Sequence, residues 1–229
     1  MSDQPHKIQA SILTRLLVIK TARFSELNTN KIPTDSFTFH VNSLINRGYV
    51  QKVNGIYLLS TRGKEFANRF DLKTREIPMQ GKISVRITAQ REAGGKRYFL
   101  LTGRLKDPFA GKVGFIGGKV QSGETIFRAA EHVFEEYAGC RAAFRLLGIQ
   151  HKMDYDTEGN LLEDKYFYIM EAQHIEGEVS EGTETNRNMW VTKEEIRELA
   201  IFENIPEALS WLDKDELSFS EKQYMEEGF

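Results

Sequence analysis

A single cysteine, Cys140, is all the thiol chemistry that these 229 residues carry. That excludes an internal disulfide framework and a cysteine-based zinc site. Long apolar runs are missing too: none approaches the ~20 residues that a membrane span needs. The opening residues, Met1 to Lys7, lack the basic-then-apolar layout of a secretory signal. The expected setting is therefore the cytoplasm, with no membrane partner. What is present is ordinary for a globular chain, with 40% hydrophobic and 28% charged residues, so a packed core is expected rather than disorder. The length exceeds the usual size of one domain, and two domains of unequal size are expected.

The net charge of −2 conceals an asymmetry. Residues 1–75 hold 12 Lys and Arg against 5 Asp and Glu, a balance of +7, and the remainder holds 19 against 28, a balance of −9. A basic first third joined to an acidic remainder points to one module that meets a polyanion and another with a different task. Two solvated surfaces of different charge would give the same count.

In the first third, Ile8, Ile12, Leu16 and Ile19 recur at helical spacing with Leu13 and Leu17 beside them. Phe24 to Asn28 reads as a short second helix capped by Ser25. A third helix starts near Pro33, with Thr34 or Asp35 as its cap, and places Phe37, Val41, Leu44 and Ile45 on one face. Asn54-Gly55 between Tyr49–Val53 and Ile56–Leu59 is a strong hairpin signal. Thr61 to Phe70 closes the segment as a helix. The stretches Phe37 to Val50 and Tyr57 to Gly63 resemble winged helix-turn-helix regulators of the small-effector type, over residues 7–70. The resemblance implies DNA as a partner, with Ser36, Thr38, His40 and Asn42 near base edges and Arg47 and Lys52 near phosphates. It also implies a homodimer, because palindromic operators are met by two-fold dimers. A winged helix used for protein contact is the competing reading. Residues 1–72 are read as this domain, 73–82 as a linker and 83–229 as a second domain.

The second domain is organised around Gly117-Gly118-Lys119-Val120-Gln121-Ser122-Gly123-Glu124 and the amphipathic run that follows to Gly139. A glycine-rich loop, an acidic residue and a helix form a device for holding a phosphate, and Gly117, Gly118, Lys119 and Glu124 are its candidate residues. The spacing from Gly118 through Glu124 to Glu136 and Gly139 resembles the Nudix box, over about residues 82–212. That resemblance implies an α/β/α sandwich with a mixed sheet, so the whole chain is expected to be α/β. It also implies hydrolysis of a nucleoside diphosphate derivative with Mg²⁺ or Mn²⁺, through helix carboxylates that hold the ion.

The helix half departs from the pattern. His132 stands at the arginine position, Val133 and Tyr137 stand at two carboxylate positions, and Glu136 alone is kept. At ~100° per residue, positions 133, 136 and 137 share one face, whereas a slip to Glu131, Glu135 and Glu136 turns the last away. Ile126, Ala130, Val133, Phe134 and Tyr137 extend an apolar stripe to where ligands belong. Glu136 and Glu135, with Glu184 as a supplement, are the remaining metal candidates, and Glu136 is the residual catalytic candidate. The favoured expectation is a DNA-binding regulator whose Nudix-like domain senses a nucleotide-diphosphate-type ligand with impaired hydrolysis. The alternatives are a Mg²⁺- or Mn²⁺-dependent hydrolase with an accessory winged helix, and an interaction module in which neither site is used.

Overall fold

Helical spacing in the first third brings two apolar faces together in a computed structural model, which describes residues 5–226. Helix α1 (Lys7–Ile19) buries Ile12, Leu13 and Leu16. After β1 (Thr21–Arg23) and the single-turn α2 (Phe24–Leu27), helix α3 (Thr34–Asn46) buries Phe37, Val41 and Leu44 in the same core. Each such side chain contributes roughly 1.5–3 kcal/mol through its removal from water. Strands β2 (Val50–Val53) and β3 (Ile56–Leu59) form a hairpin whose turn residues, Asn54 and Gly55, both have positive φ, 49° and 78°. A two-residue turn of that kind matches the twist of the strands it joins. β1 adds to the other side of β3, and α4 (Thr61–Ala67) begins at Ser60, whose hydroxyl accepts from the Gly63 amide.

Two helix starts differ from the sequence reading. Ser25 lies inside α2, and the turn is closed by Glu26, whose carboxylate accepts from the Arg23 amide at 2.6 Å. Helix α3 begins at Thr34 with Pro33 in the cap position, because the Phe37 amide donates to the Pro33 carbonyl. A proline fits there, since no helical partner is needed for its missing N–H. The chain divides into two units, Met1–Met79 and Gln80–Phe229, and Ile77 packs against the first core.

The second unit is a mixed α/β fold. Its strands are β4 (Lys82–Thr88), β5 (Gln90–Ala93), β6 (Lys96–Arg104), β7 (Val113–Gly114), β8 (Ile116–Lys119), β9 (Arg141–Tyr155), β10 (Leu161–Glu176), β11 (Gly182–Thr183), β12 (Asn186–Thr192) and β13 (Ser218–Met225). Helix α5 (Ile126–Ala138) follows β8, and α6 (Lys193–Ile196) and α7 (Ile205–Ser210) follow β12. One sheet has the order β13-β9-β10-β4-β8 and is mixed: β4 runs parallel to β10 and β13 parallel to β9, and the other pairs are antiparallel. The other sheet, β11-β12-β6-β5 with β7 beside β6, is antiparallel. Helix α5 packs Ala130, Val133 and Phe134 onto Val85, Ile87 and Met170. A second core gathers Leu101, Phe115 and Ile169 with Ala208 and Trp211, so Trp211 is a packing residue. Among the described residues no helix is long and apolar enough to cross a membrane.

Helix α6 is a single turn that ends at Ile196, and α7 gives way to a 3₁₀ turn at Trp211–Asp213. The tail is ordered: Ser218–Met225 form β13, which pairs with the Gly148–Tyr155 half of β9. Its side chains are mostly exposed, with Phe219 at 66% and Met225 at 58%. Backbone pairing and ion pairs hold it, rather than burial. His151 on β9 is the central tie: its Nδ1 meets Glu221 of β13 at 2.6 Å, its Nε2 meets Asp164 at 2.8 Å, and its ring stacks on Tyr166. The lone thiol is unrelated to these ties: Cys140 is buried, donates to the Glu178 carbonyl, and is pushed up by burial.

Burial opposes the charged form of His151, but hydrogen bonds to Glu221 and Asp164 outweigh it and raise the imidazole above its ordinary 6.5. A raised folded-state value means that the stabilisation is present below 6.5 and is lost as pH rises through the folded-state value. Stability against denaturant should therefore fall as pH rises above 6.5 and through the raised folded-state value. In His151→Gln that fall should shrink, with an overall loss of roughly 1–3 kcal/mol at the acid end. Equal slopes in both proteins would show that His151 does not set the dependence.

Candidate functional site

Strand β8 and helix α5 build one wall of a cavity of about 620 Å³. Gly117 and Gly118 face opposite sides of β8, and each side is filled by a neighbour. A Cβ on Gly117 would fall 2.1 Å from Nη1 of Arg86, and one on Gly118 would fall 2.5 Å from Cγ2 of Val133. Both glycines therefore permit the close approach of a neighbouring side chain. Lys119 lines the cavity. Glu124 is not among the lining residues. Its Oε2 accepts from the Gln121 amide at 3.0 Å, and its Oε1 meets Nδ1 of His132 at 2.6 Å, which ties the loop to α5. Those bonds, the backbone one foremost, hold its carboxyl below the ordinary range.

Helix α5 offers few donors to a divalent cation. Val133 is buried against Gly118, so no donor occupies its place. Tyr137 keeps its proton: burial raises the phenol, and the adjacent Glu136 carboxylate raises it further. Glu135 is exposed on α5 beside Arg141, and Glu184 is exposed in the turn between β11 and β12. Glu136 lines the cavity, but Glu135 and Glu184 are not among its lining residues. Among the described residues no three His, Cys, Asp or Glu side chains gather to hold a metal ion. A hard divalent ion wants several anionic oxygens at one point. This donor set does not fit one.

Cations fill the space instead. Eight Lys and Arg line the cavity against three Asp and Glu, so its balance is positive in a unit that is acidic overall. Two of the three acids are already engaged: Glu163 pairs with Lys165 and lies 3.7 Å from Lys82, and Asp154 pairs with Lys152. Arg86, on β4, lies over the Phe167 ring at 4.5 Å and forms no ion pair among the described residues. Burial first, then the neighbouring Arg104, push its guanidinium down to about 10, with Glu163 opposing. It remains cationic at neutral pH. Arg104 spends its hydrogen bonds on the carbonyls of Lys106 and Asp107 and has no carboxylate partner among the described residues.

These cations were missed in the sequence. The one local signal was a basic residue between buried strand positions, as in Val85-Arg86-Ile87, and nothing local says that Arg86 and Arg104 converge. At the far end of the cavity, Lys112 and Lys152 lie over the rings of Phe109 and Phe202.

In the first unit, Ser36 and Asn42 are exposed on α3, whereas Thr38 and His40 are half-buried. His40 stacks on His6, the cap residue of α1, at 4.4 Å, and among the described residues its Nδ1 has no hydrogen-bond partner. Arg47 and Lys52 are exposed and lie over the rings of Tyr49 and Tyr57. Arg62, not singled out in the sequence, shares the Tyr49 ring at 5.0 Å. Among the described residues none of these three cations is paired with a carboxylate. Phe39 is 68% exposed on α3, beside His40.

With this geometry in view, the NUDIX domain family matches residues 81–212. A crystal structure of the mutator MutT protein from Bacillus halodurans is 21% identical, with 63% of this chain and 90% of that one covered and a TM-score of 0.52. The NUDIX domain of Shewanella oneidensis NrtR, complexed with ADP ribose, is 13% identical, with 67% and 97% covered and a TM-score of 0.49. Comparison with curated proteins gives no match. At such identities the structural likenesses concern the fold alone, but the family match spans more than half of the sequence: the chain belongs to the NUDIX domain family.

Proposed function

We propose that this chain is a DNA-binding regulator, that residues 1–72 form a winged helix-turn-helix, and that the NUDIX domain senses a nucleotide-diphosphate-type anion without efficient hydrolysis. The observation that carries the reading is the pair Arg86 and Arg104, which line the cavity without an ion-pair partner among the described residues, where the helix supplies Val133 and Tyr137 in place of metal ligands. Fixed cations of this kind are matched to a di-anionic group, and guanidinium forks suit phosphate oxygens. They hold ground state and transition state alike, which favours affinity over turnover. For the first unit, the order of α1, α2 and α3, the β2–β3 hairpin and α4 supports the winged-helix reading. The unpaired Arg47, Lys52 and Arg62 support phosphate contact, and Ser36, Thr38, His40 and Asn42 remain the residues proposed to face bases. On a palindromic site the protein would act as a homodimer. A hydrolase reading keeps one specific support, the carboxylate of Glu136 inside the cavity.

Addition of Mg²⁺ or Mn²⁺ should release no phosphate or nucleoside monophosphate from ADP-ribose, NAD, dinucleotide polyphosphates or nucleoside triphosphates. Metal-dependent turnover that disappears in Glu136→Gln would favour the hydrolase reading. A nucleoside diphosphate should nevertheless raise the melting temperature of the protein, as a ligand bound by the folded state must. Arg86→Met should weaken that ligand by roughly 10- to 100-fold in a titration, the loss expected for charged hydrogen bonds. Unchanged affinity would remove the cavity from the proposal.

On a mixed-sequence duplex, binding measured by anisotropy should weaken steeply as salt is raised. Arg47→Ala and Arg62→Ala should each reduce the slope of log K against log salt by about 1. Absence of binding at low salt would overturn the regulator reading.

A further inference from the structure

Two lysines that line the cavity, Lys112 and Lys152, share one carboxylate, that of Glu226, which is not itself a lining residue. Glu226 follows the last paired residue of β13, and its amide donates to the Tyr155 carbonyl at 2.8 Å. That bond holds its side chain beside the two lysines, where Oε1 lies 3.1 Å from Nζ of Lys152 and Oε2 lies 3.1 Å from Nζ of Lys112. One carboxylate thus bridges two ammonium groups with both oxygens, as two oxygens of a phosphate group would.

The surroundings explain why an anion is held there. Lys152 is 6% exposed, and both ammonium groups are walled by the Phe109 and Phe202 rings. Asp154, itself buried, neutralises one of the two charges. The other needs a counter-ion, because an uncompensated charge in such a place is strongly unfavourable. Glu226 supplies it. Burial by itself would raise the Glu226 carboxyl, but the hydrogen bonds from Lys152 and Lys112 prevail and keep it below the ordinary range, so it is an anion at neutral pH. The strand that delivers it covers little apolar surface, since Phe219 and Met225 remain exposed. Freeing Glu226 therefore uncovers little that water would resist.

We propose that Lys112 and Lys152 form a second anion subsite of the cavity, for a phosphate group of the ligand, and that the carboxylate of Glu226 fills this subsite until the phosphate replaces it. The inference rests on the reading that the cavity takes a phosphorylated anion, and adds to it where the second phosphate goes and what it must displace. Binding and release of the end of β13 are then one exchange: phosphate in, carboxylate out.

The test uses the full chain, with inorganic pyrophosphate and ADP as probes, in calorimetric titrations of the wild type, Glu226→Gln, Arg86→Met and the double variant Glu226→Gln/Lys112→Met. Glu226→Gln keeps the side-chain shape and removes the competing charge, so it should bind the probes roughly tenfold more tightly than the wild type. The gain should vanish in the double variant, which shows that it acts through Lys112. An equal gain for both probes assigns a bare phosphate ligand, and a larger gain for ADP assigns a nucleotide; both support the subsite. In hydrogen exchange, pyrophosphate should speed exchange of the amides near Met225 in the wild type. Binding that is lost in Arg86→Met but unchanged in Glu226→Gln would overturn the subsite and leave the anion cavity standing. Binding of neither probe by the wild type, Glu226→Gln or Arg86→Met would overturn both.

Discussion

Strand β8 is a backbone with nothing on it at two successive positions, and the second unit is arranged around that bareness. Gly117 leaves room for the Arg86 guanidinium on one face, and Gly118 leaves room for Val133 on the other. A methyl group at either place would push apart the strand, the helix or the arginine, in an interior where packing leaves no slack. Because the pinched strand fixes α5 against β4, the loop from Val120 to Thr125 has a set length to cross. Glu124 and His132 then close it. The cavity wall, the helix orientation and the placement of the buried cation follow from the same two missing side chains.

This arrangement changes what the fold can do with a diphosphate. A metal ion held by carboxylates is a mobile charge whose bonds to substrate oxygens alter as a reaction proceeds, and it generates a nucleophile from water. Guanidinium and ammonium groups offer hydrogen bonds and charge but neither generate hydroxide nor change coordination. The cavity is furnished with Arg86, Arg104 and lysines, and among the described residues Glu136 is left without the partners that a metal centre asks of it.

Much of this was legible from one dimension, for identifiable reasons. The apolar faces of α1 and α3 follow a helical period, and the Asn54-Gly55 turn has a composition that few other structures accept. The glycine loop was legible because close approach admits no other residue, and the failure of the helix half was legible because Val133 has no donor atom. Strand β13 was not legible: Ser218 to Met225 has no buried face to impose a period of two, and its pairing depends on an open edge of β9 that is far away in sequence. Lysines 112, 152 and 165 look like surface residues one at a time, and become a site when β10 and β9 bring Lys165 and Lys152 to one wall. Local rules report what a residue prefers; they do not report which charges will share a cavity.

Cys140 leads to a different kind of conclusion. Its Sγ sits under the chain with a hydrogen bond to the Glu178 carbonyl, and burial keeps it a thiol rather than a thiolate. Sulfur chemistry starts from the thiolate and needs access. As the one cysteine of the sequence, it leaves the molecule without a thiol through which peroxide, a disulfide donor or an alkylating agent could address it. A cysteine placed by design on the open face of β13 would accordingly be the single reactive thiol in the protein, and a label there would report on that strand alone.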